Sequence, residues 1–199
     1  MTADSMVVGG VLRLATPEDA AAIQAIYAPV VEQTVISLEL AAPDVAEMRR
    51  RIEEGLLRYP WLVYAAPGGL LGYAYAGQHR ARLGYQWAVE VSVYVHPERR
   101  GQRVGRRLYG ALLELLALQG YCVAYAGIGL PNPASVALHE AVGFRPLCVY
   151  RAIGYKHGAW RDVGWWERDL RPRQPEPSAP LPPSALAGTA EWEAALSEC

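Results

Sequence analysis

The fold of this chain is decided by residues 88 to 110, which read Ala-Val-Glu-Val-Ser-Val-Tyr-Val-His-Pro-Glu-Arg-Arg-Gly-Gln-Arg-Val-Gly-Arg-Arg-Leu-Tyr-Gly. Valines alternate with other residues in the first third, which is typical of a β-strand with one buried face. Pro97 cannot donate to a sheet ladder, so we expect the strand to end there. From Val104 onward apolar residues recur at helical spacing. The stretch therefore predicts a strand, a basic loop and a helix.

The loop between this strand and this helix has the properties of an anion site. A helix start presents backbone N–H groups without intrahelical partners, and glycine lets a ligand approach the backbone closely. Nearby arginines add charge suited to phosphate: Arg99, Arg100, Arg103, Arg106 and Arg107. The stretch contains neither the Lys-Ser/Thr of a Walker loop nor a Gly-x-Gly-x-x-Gly fingerprint. The alternative is a solvated basic face or a nucleic-acid patch.

Composition favours a small ligand over a nucleic acid. With 199 residues, of which 52% are hydrophobic, the chain can bury one full core, and its net charge is only −1. The basic loop is thus a local feature, so we expect no nucleic-acid partner. Three cysteines form no CxxC pair, and the N-terminal residues show no charged stretch followed by an apolar one, so we expect neither a leader segment nor a membrane span. These features predict a cytoplasmic protein that does not bind membranes.

Patterning along the rest of the chain predicts an α/β protein. Before the central strand, we expect a strand at 11–15, a helix that begins after Thr16 and stops at Pro29, a helix from Asp44 to Leu56, and a hairpin of strands at 61–66 and 70–76. After the central helix, we expect a strand at 121–128, a helix from Asn132 to about Val142, and strands near 145–153 and 162–169. This order indicates a mixed sheet flanked by helices.

The last 29 residues differ in composition from the rest. Six of them are prolines, which do not support a core, so we predict one domain at 1–170 and a Pro/Ala-rich tail at 171–199. Near the end, Trp192, Ala195 and Leu196 would share one side of a short helix. Of two interpretations we favour a detached tail, and the alternative is docking onto the domain or onto a second subunit.

The basic loop resembles the pyrophosphate loop of the GCN5-related N-acetyltransferases (GNAT), whose pattern is Gln/Arg-x-x-Gly-x-Gly/Ala. Here the six positions are occupied by Arg100-Gly101-Gln102-Arg103-Val104-Gly105. The departure is Arg103, which stands where the family usually has its first glycine. We therefore expect the ligand to have less space to approach the backbone at this position.

Several other segments resemble the phosphinothricin (bialaphos-resistance) acetyltransferases, in that family's order and spacing, from Leu12 to Leu170. They are Val89 to Val95, Gly129 to Val136, Leu138 to Phe144 and Gly154 to Gly164. The resemblance implies a GNAT fold whose central strands splay to form an acetyl-CoA cleft. It also implies acetyl-CoA as co-substrate, a small-molecule primary amine as acceptor, and commonly a homodimer.

Two side chains are candidates for acid–base catalysis. Acetyl transfer from a thioester to an amine needs a neutral amine, a polarised carbonyl and a proton for the leaving thiolate. Glu90 lies on the central strand just before the anion loop and matches the family's catalytic glutamate; the alternative is a surface glutamate. His139 precedes Gly143 by four residues, where the resemblance implies an acid or an acceptor-positioning group. The alternative for His139 is a structural histidine.

The resemblance also implies binding residues. Cofactor binding is expected at Val93, Tyr94, Val95, Arg100, Gly101, Gln102, Arg103, Val104, Gly105, Arg106 and Asn132, through backbone N–H groups for Val93 and Val95 and mostly through the backbone for the loop. Asn132 is equally typical of a helix N-cap. Arg82 and Tyr85 are implied acceptor contacts, with an exposed loop arginine as the alternative. The remaining histidines show no ligand spacing, so no metal is expected.

The leading hypothesis is a direct, ternary-complex transfer of acetyl from acetyl-CoA to a small amino acid such as phosphinothricin, methionine sulfoximine or methionine sulfone. A related hypothesis is acetylation of a polyamine, an aminoglycoside or a protein N-terminus. A third is a CoA-binding sensor without turnover, in which Arg103 has compromised the loop. Retention of both Glu90 and His139 argues against the sensor, because a pure binder needs neither.

Overall fold

A computed structural model of the chain describes residues 9–197. Its seven strands form one sheet in the order β1-β2-β3-β4-β5-β7-β6, in which β4 and β5 are parallel and every other neighbouring pair is antiparallel. The strands are β1 Val11–Leu14, β2 Trp61–Ala66, β3 Gly69–Gln78, β4 Ala88–Val95, β5 Val123–Gly129, β6 Arg145–Lys156 and β7 Ala159–Asp169. The mixed α/β sheet expected from the sequence is confirmed.

Helices cover both faces of this sheet. They are α1 Ala20–Gln33, α2 Val45–Leu56, α3 Val104–Gln119, α4 Pro133–Ala141 and α5 Ala190–Ser197. One core cluster contains buried residues of α3 and α5, and a second contains buried residues of α1 and α2. Within residues 9–197, no helix is both long and apolar enough to cross a membrane.

The alternation in β4 divides its side chains between these two clusters. Val89 and Val91 are buried in the cluster that contains α3, whereas Tyr94 packs against the cluster that contains α1 and α2. Glu90 and Ser92 share the face of Tyr94, because successive side chains of a strand point to opposite faces. The expected strand, loop and helix are thus confirmed, with α3 beginning at Val104.

The expectation that Pro29 stops the first helix is wrong. Helix α1 continues through Pro29 to Gln33. A proline inside a helix removes one backbone hydrogen bond, but Val30 and Val31, which follow it, are buried against the sheet. Burial of these two side chains stabilises the last turn and offsets the lost bond.

The interpretation of the C-terminal segment as a detached tail is also wrong for the part that the structure describes. The side chains of Trp192 and Ala195 in α5 are each 1% exposed within the core cluster of α3. Upstream of α5, the N–H of Leu181 donates to the backbone O of Gln119 (2.8 Å), and the Gln119 side chain donates to the O of Leu181 (2.6 Å). The segment therefore docks onto the domain, while the division at residue 170 stays a prediction.

Docking of α5 makes a prediction about stability. Trp192→Ala removes the largest side chain that the segment buries, so we expect the free energy of unfolding to fall by about 3–5 kcal/mol. The measurement is urea denaturation followed by circular dichroism. Glu193→Ala, at an exposed neighbour, is the matched control and should change stability by less than about 0.5 kcal/mol. Equal unfolding midpoints for the two variants would contradict the docking.

Candidate active site

The two central strands separate immediately after Glu90. Strands β4 and β5 pair only through residues 88–90 and 123–125. Beyond that point β4 continues beside β3 to Val95, and β5 continues beside β7 to Gly129. In the described part of the chain, the facing edges of β4 and β5 therefore have no strand partner over their second halves, and a gap opens between them.

Backbone N–H groups of β4 point into this gap. The N–H of His96 donates to the O of Leu71 on the β3 side, at 2.9 Å. Because these groups alternate along a strand, the N–H of Tyr94 also points toward β3, whereas those of Val93 and Val95 point toward β5. An extended ligand with amide groups, such as a pantetheine arm, can pair with such an edge as an added strand does. Val93 and Val95 thus have the N–H direction that such a ligand needs, and their role in cofactor binding stays a prediction.

Tyr94 does not lie in the gap, in contrast to the expectation that it binds the cofactor. Its ring packs toward α1 and β3, on the face of the sheet that also carries Glu90, with its centroid 4.9 Å from that of Tyr27 and 5.2 Å from that of Tyr73. Burial there holds the pKa of its phenol well above the ordinary value. The ring is occupied by these aromatic contacts, and the N–H points toward β3, so neither group is directed at β5.

The basic loop at 96–103 ends at the start of α3. Gly101 and Arg103 both have left-handed backbone conformations, with φ of 77° and 61°. The first hydrogen bond of α3 runs from the N–H of Arg107 to the O of Arg103 (3.1 Å), so the preceding N–H groups point out of the helix start. Those groups belong to Val104, Gly105 and Arg106. With the exposed side chains of Arg100, Arg103 and Arg106, they give the helix start the chemistry that favours an anion, and cofactor binding by these residues stays a prediction.

Arg103 adopts the backbone conformation that glycine adopts readily and other residues rarely do. The departure from the family pattern therefore changes the side chain at this position and leaves a left-handed turn in place. This observation argues against the hypothesis that Arg103 has compromised the loop. The left-handed conformation strains the backbone at Arg103.

The side chains next to the helix start are fixed by packing and by the protein's own hydrogen bonds. A Cβ atom on Gly105 would lie 2.9 Å from Cδ2 of Leu138, so glycine here allows α3 to pack closely on α4. Val104 is buried in the core. Gln102 is half-buried, and its Nε2 donates to the O of Glu98 at 3.3 Å. Val104 and Gly105 can thus contact a ligand only through their backbone.

Asn132 caps helix α4. Its Oδ1 accepts a hydrogen bond from the N–H of Ser135 at 3.2 Å, which is the N-cap role that the sequence predicts. The cap uses the carbonyl oxygen of the side-chain amide. Its NH₂ group has no hydrogen bond to other residues within 9–197, so it is available to a ligand in the neighbouring gap.

Glu90 lies at the closed end of the gap and contacts His79. The Nδ1 of His79 is 2.9 Å from Oε1 of Glu90, and the His79 ring stacks on Tyr125 with centroids 4.5 Å apart. Tyr125 is also the β5 partner of Glu90 in the last register pair before the strands separate. The side chain of Glu90 is 41% exposed. A half-exposed carboxylate at this point can accept a proton from an amine.

An open cavity of about 380 Å³ lies on the same face of the sheet as Glu90. Gly77 lines it and stands directly opposite Glu90 in the β3–β4 register, where it leaves space because a Cβ atom would meet nothing within 4 Å. Tyr27, Tyr73 and Tyr75 form an aromatic wall of the cavity. Burial raises the pKa of Tyr27 to about 12, so this wall stays uncharged near neutral pH.

The connection between α1 and α2 is fixed beside this cavity by charged groups that the sequence did not single out. Arg51 lines the cavity and forms an ion pair with Glu39 at 2.8 Å. Lys156 is buried, and its Nζ donates to the backbone oxygens of Val31 (2.5 Å) and Ser37 (2.7 Å). Burial lowers the pKa of Lys156. Lys156 thereby ties the end of α1 and this connection to β6.

His139 is a core residue of α4 and is only 4% exposed. Its Nδ1 is 2.7 Å from the backbone O of Ser135, which can only accept, so Nδ1 carries the proton. Nε2, at 2.8 Å from Tyr109 Oη, then accepts from the phenol. Burial lowers the pKa of His139, which keeps the ring neutral near pH 7. In this arrangement the single ring proton is engaged by the protein, and an acid role for His139 stays a prediction.

Arg82 and Tyr85 are exposed and lie at the ends of a short 3₁₀ turn between β3 and β4. Both line a second cavity of about 360 Å³. Residues 57–59 and residues 179–182 of the C-terminal segment also line that cavity. Within residues 9–197, neither side chain forms a hydrogen bond or ion pair with Glu90, whose ion-pair partner is His79. Their assignment to the acceptor therefore stays a prediction.

Sequence comparison places this architecture in a known family. Residues 12–165 match the family described as an acetyltransferase (GNAT) domain. The chain belongs to the GNAT acetyltransferases. Among the residues that the structure describes in this GNAT chain, no group of three or more His, Cys, Asp or Glu side chains is arranged to hold a metal ion.

Individual relatives are similar over most of their length. The phosphinothricin N-acetyltransferase of Streptomyces viridochromogenes is 40% identical over 171 residues, which are 85% of this chain and 93% of that protein. The L-methionine sulfoximine/L-methionine sulfone acetyltransferase of Salmonella typhimurium is 35% identical over 160 residues, 80% of this chain and 94% of that protein. The phosphinothricin acetyltransferase of Sinorhizobium meliloti, solved in complex with AcCoA, superimposes with a TM-score of 0.78 at 36% identity, covering 81% of this chain and 88% of that one.

The conformation of Arg103 makes a prediction about this loop. Arg103→Gly relieves the left-handed strain, so we expect stability to rise by about 0.5–1 kcal/mol in thermal or urea unfolding. Arg103→Ala removes the same side chain but keeps a Cβ atom, so it should be no more stable than wild type. Equal stability of the glycine and alanine variants would contradict the strained conformation.

Proposed function

We propose that this GNAT chain transfers the acetyl group of acetyl-CoA to the amino group of a small amino-acid-like acceptor of the phosphinothricin, methionine sulfoximine or methionine sulfone type. The observation that carries the proposal is the position of Glu90, at the closed end of the gap and opposite the space left by Gly77. Relatives with those substrates in their names, at 35–40% identity, support the acceptor class.

The donor side of the site consists mainly of backbone groups. The N–H groups of Val93 and Val95 would hold the pantetheine amides, with the NH₂ of Asn132 beside them. The start of α3 and the arginines around it would hold the phosphates, because unpaired helix N–H groups and guanidinium groups both favour anions. Bound acetyl-CoA supplies the activated thioester carbon.

The acceptor amine must lose a proton before or as it attacks. We propose that the carboxylate of Glu90 takes this proton, directly or through one water, while the amine nitrogen forms a bond to the thioester carbonyl carbon. Collapse of the tetrahedral adduct breaks the C–S bond, and the released thiolate takes a proton from solvent or from a protein donor. Direct transfer fits the cysteines, since Cys122 is buried and Cys148 lies on the outer strand β6.

Arg82 and Tyr85 are proposed to contact the carboxylate or the tetrahedral polar head of the acceptor. Both are exposed on the connection that enters β4 two residues before Glu90, and arginine forms paired hydrogen bonds with carboxylate and phosphinate groups. For His139 we propose a contribution to catalysis through its contact with Tyr109, since both groups lie between α3 and α4.

We propose a homodimer formed through the exposed hairpin of β6 and β7 at the edge of the sheet. Strand β6 is at the edge of the sheet, and this hairpin exposes large apolar side chains: Leu147, Val149, Tyr150, Ile153, Tyr155 and Trp160. An exposed apolar edge of this kind is typical of an interface, and a second copy placed by a twofold axis would present the same surface. We also propose a cytoplasmic location, which the free thiols of Cys122 and Cys148 support.

The reaction is tested by thiol release from acetyl-CoA with a panel of amines: phosphinothricin, methionine sulfoximine, methionine sulfone, spermidine and a short peptide. We expect turnover with the amino-acid analogues. Glu90→Gln should lower kcat by about 10²–10⁴-fold, because it removes the general base and keeps the shape of the side chain.

The matched control for this experiment is Glu53→Gln, an exposed glutamate on α2, which should keep wild-type kcat. Arg82→Ala in the same assay should raise KM for the acceptor about tenfold and leave KM for acetyl-CoA unchanged. Turnover of spermidine or the peptide alone would reassign the acceptor. Thiol release by Glu90→Gln at the wild-type rate would exclude Glu90 as the base.

The dimer is tested by sedimentation equilibrium or light scattering. We expect a mass twice the 21.8 kDa of one chain. Ile153→Glu places a charge on the exposed apolar face and should yield the single-chain mass, whereas Val45→Glu, on an exposed position of α2, should not. A wild-type protein with the mass of one chain at micromolar concentration would contradict the proposal.

A further inference from the structure

The contact between His79 and Glu90 places a second ionisable side chain at the closed end of the gap. His79 is the first residue after β3, and it lies on the same face as Gly77, two residues earlier, which pairs with Glu90. The register of the β3–β4 pair therefore directs the imidazole toward the carboxylate. The resulting Nδ1–Oε1 distance is 2.9 Å.

The His79 ring is held by two aromatic neighbours. It stacks on Tyr125 at 4.5 Å with an interplanar angle of 24°, and it contacts Trp165 edge-on at 5.9 Å and 77°. Its side chain is 15% exposed, against 41% for Glu90. The histidine is thus the fixed partner of the pair, and the more accessible carboxylate takes its orientation from it.

The chemistry of the contact assigns its direction. A carboxylate accepts hydrogen bonds, so the proton of this contact is on Nδ1 of His79. Oε1 of Glu90 is occupied by this bond, whereas Oε2 has no hydrogen bond to another residue within 9–197. One oxygen is therefore anchored and the other is left to receive a proton from an acceptor amine.

We infer that His79 is a positioning residue that anchors Oε1 of Glu90 and so directs Oε2 toward the acceptor amine. The inference rests on the proposed role of Glu90 as general base. A general base acts efficiently only when its proton-accepting atom is held in place, and small displacements lower the rate strongly. A glutamate at an exposed site has several rotamers, and the hydrogen bond from a ring clamped by Tyr125 restricts them.

The experiment compares three variants of His79 in the thiol-release assay. His79→Phe keeps an aromatic ring over Tyr125 and removes the donor, and we expect kcat to fall about tenfold. KM for acetyl-CoA should stay within about twofold of wild type, because His79 lies outside the donor half of the site. His79→Gln and His79→Met have similar lengths and differ in the donor, so the glutamine variant should retain most of the activity that the methionine variant loses.

A double-mutant cycle separates positioning from a general structural effect. If His79 acts through Glu90, His79→Phe should cause no further loss of kcat in the Glu90→Gln background. A tenfold loss in both backgrounds would overturn the inference, as would wild-type kcat in His79→Phe or equal activity of the glutamine and methionine variants. Absence of turnover by the wild-type chain with every amine would instead count against the proposed function.

Discussion

The site depends on the separation of β4 from β5 after a single short stretch of parallel pairing. Each strand is held away from the other by its outer neighbour, since β4 pairs with β3 as far as Val95 and β5 pairs with β7 as far as Gly129. Helix α3 packs against the buried valines of β4 and adds to this restraint. Within residues 9–197, the backbone groups that would close a continuous sheet have no strand partner, and such groups favour an extended polar ligand.

The same separation places opposite charges at the two ends of the gap. At the closed end, Glu90 remains half exposed on a face whose other strand residues are largely aromatic. The tyrosines of that face are neutral because burial raises their pKa values. At the open end, the arginines of the loop before α3 surround the start of that helix. One end of the gap thus favours proton transfer and the other favours anion binding, with neutral backbone between them.

Local patterns in the sequence were sufficient to predict the central unit, because the strand, the loop and the helix are each set by neighbouring residues. Contacts between distant segments were not predictable in this way. His79 lies beyond the strand expected at 70–76, and its contact with Glu90 depends on β3 running two residues further, to Gln78. Likewise the continuation of α1 beyond Pro29 depends on the burial of Val30 and Val31. Helix propensity is a local property of the sequence and does not include this burial.

The C-terminal segment shows how such long-range contacts connect to the site. Burial of Trp192 fixes its end against α3, and upstream the Nε1 of Trp87 donates to the O of Ser178 at 2.8 Å. Trp87 immediately precedes β4, so the proline-rich segment is attached to the connection that carries Arg82 and Tyr85. Prolines suit this function, since they reduce the entropy that an extended segment loses on docking. A segment that adds little core of its own therefore restrains the connection that leads to Glu90.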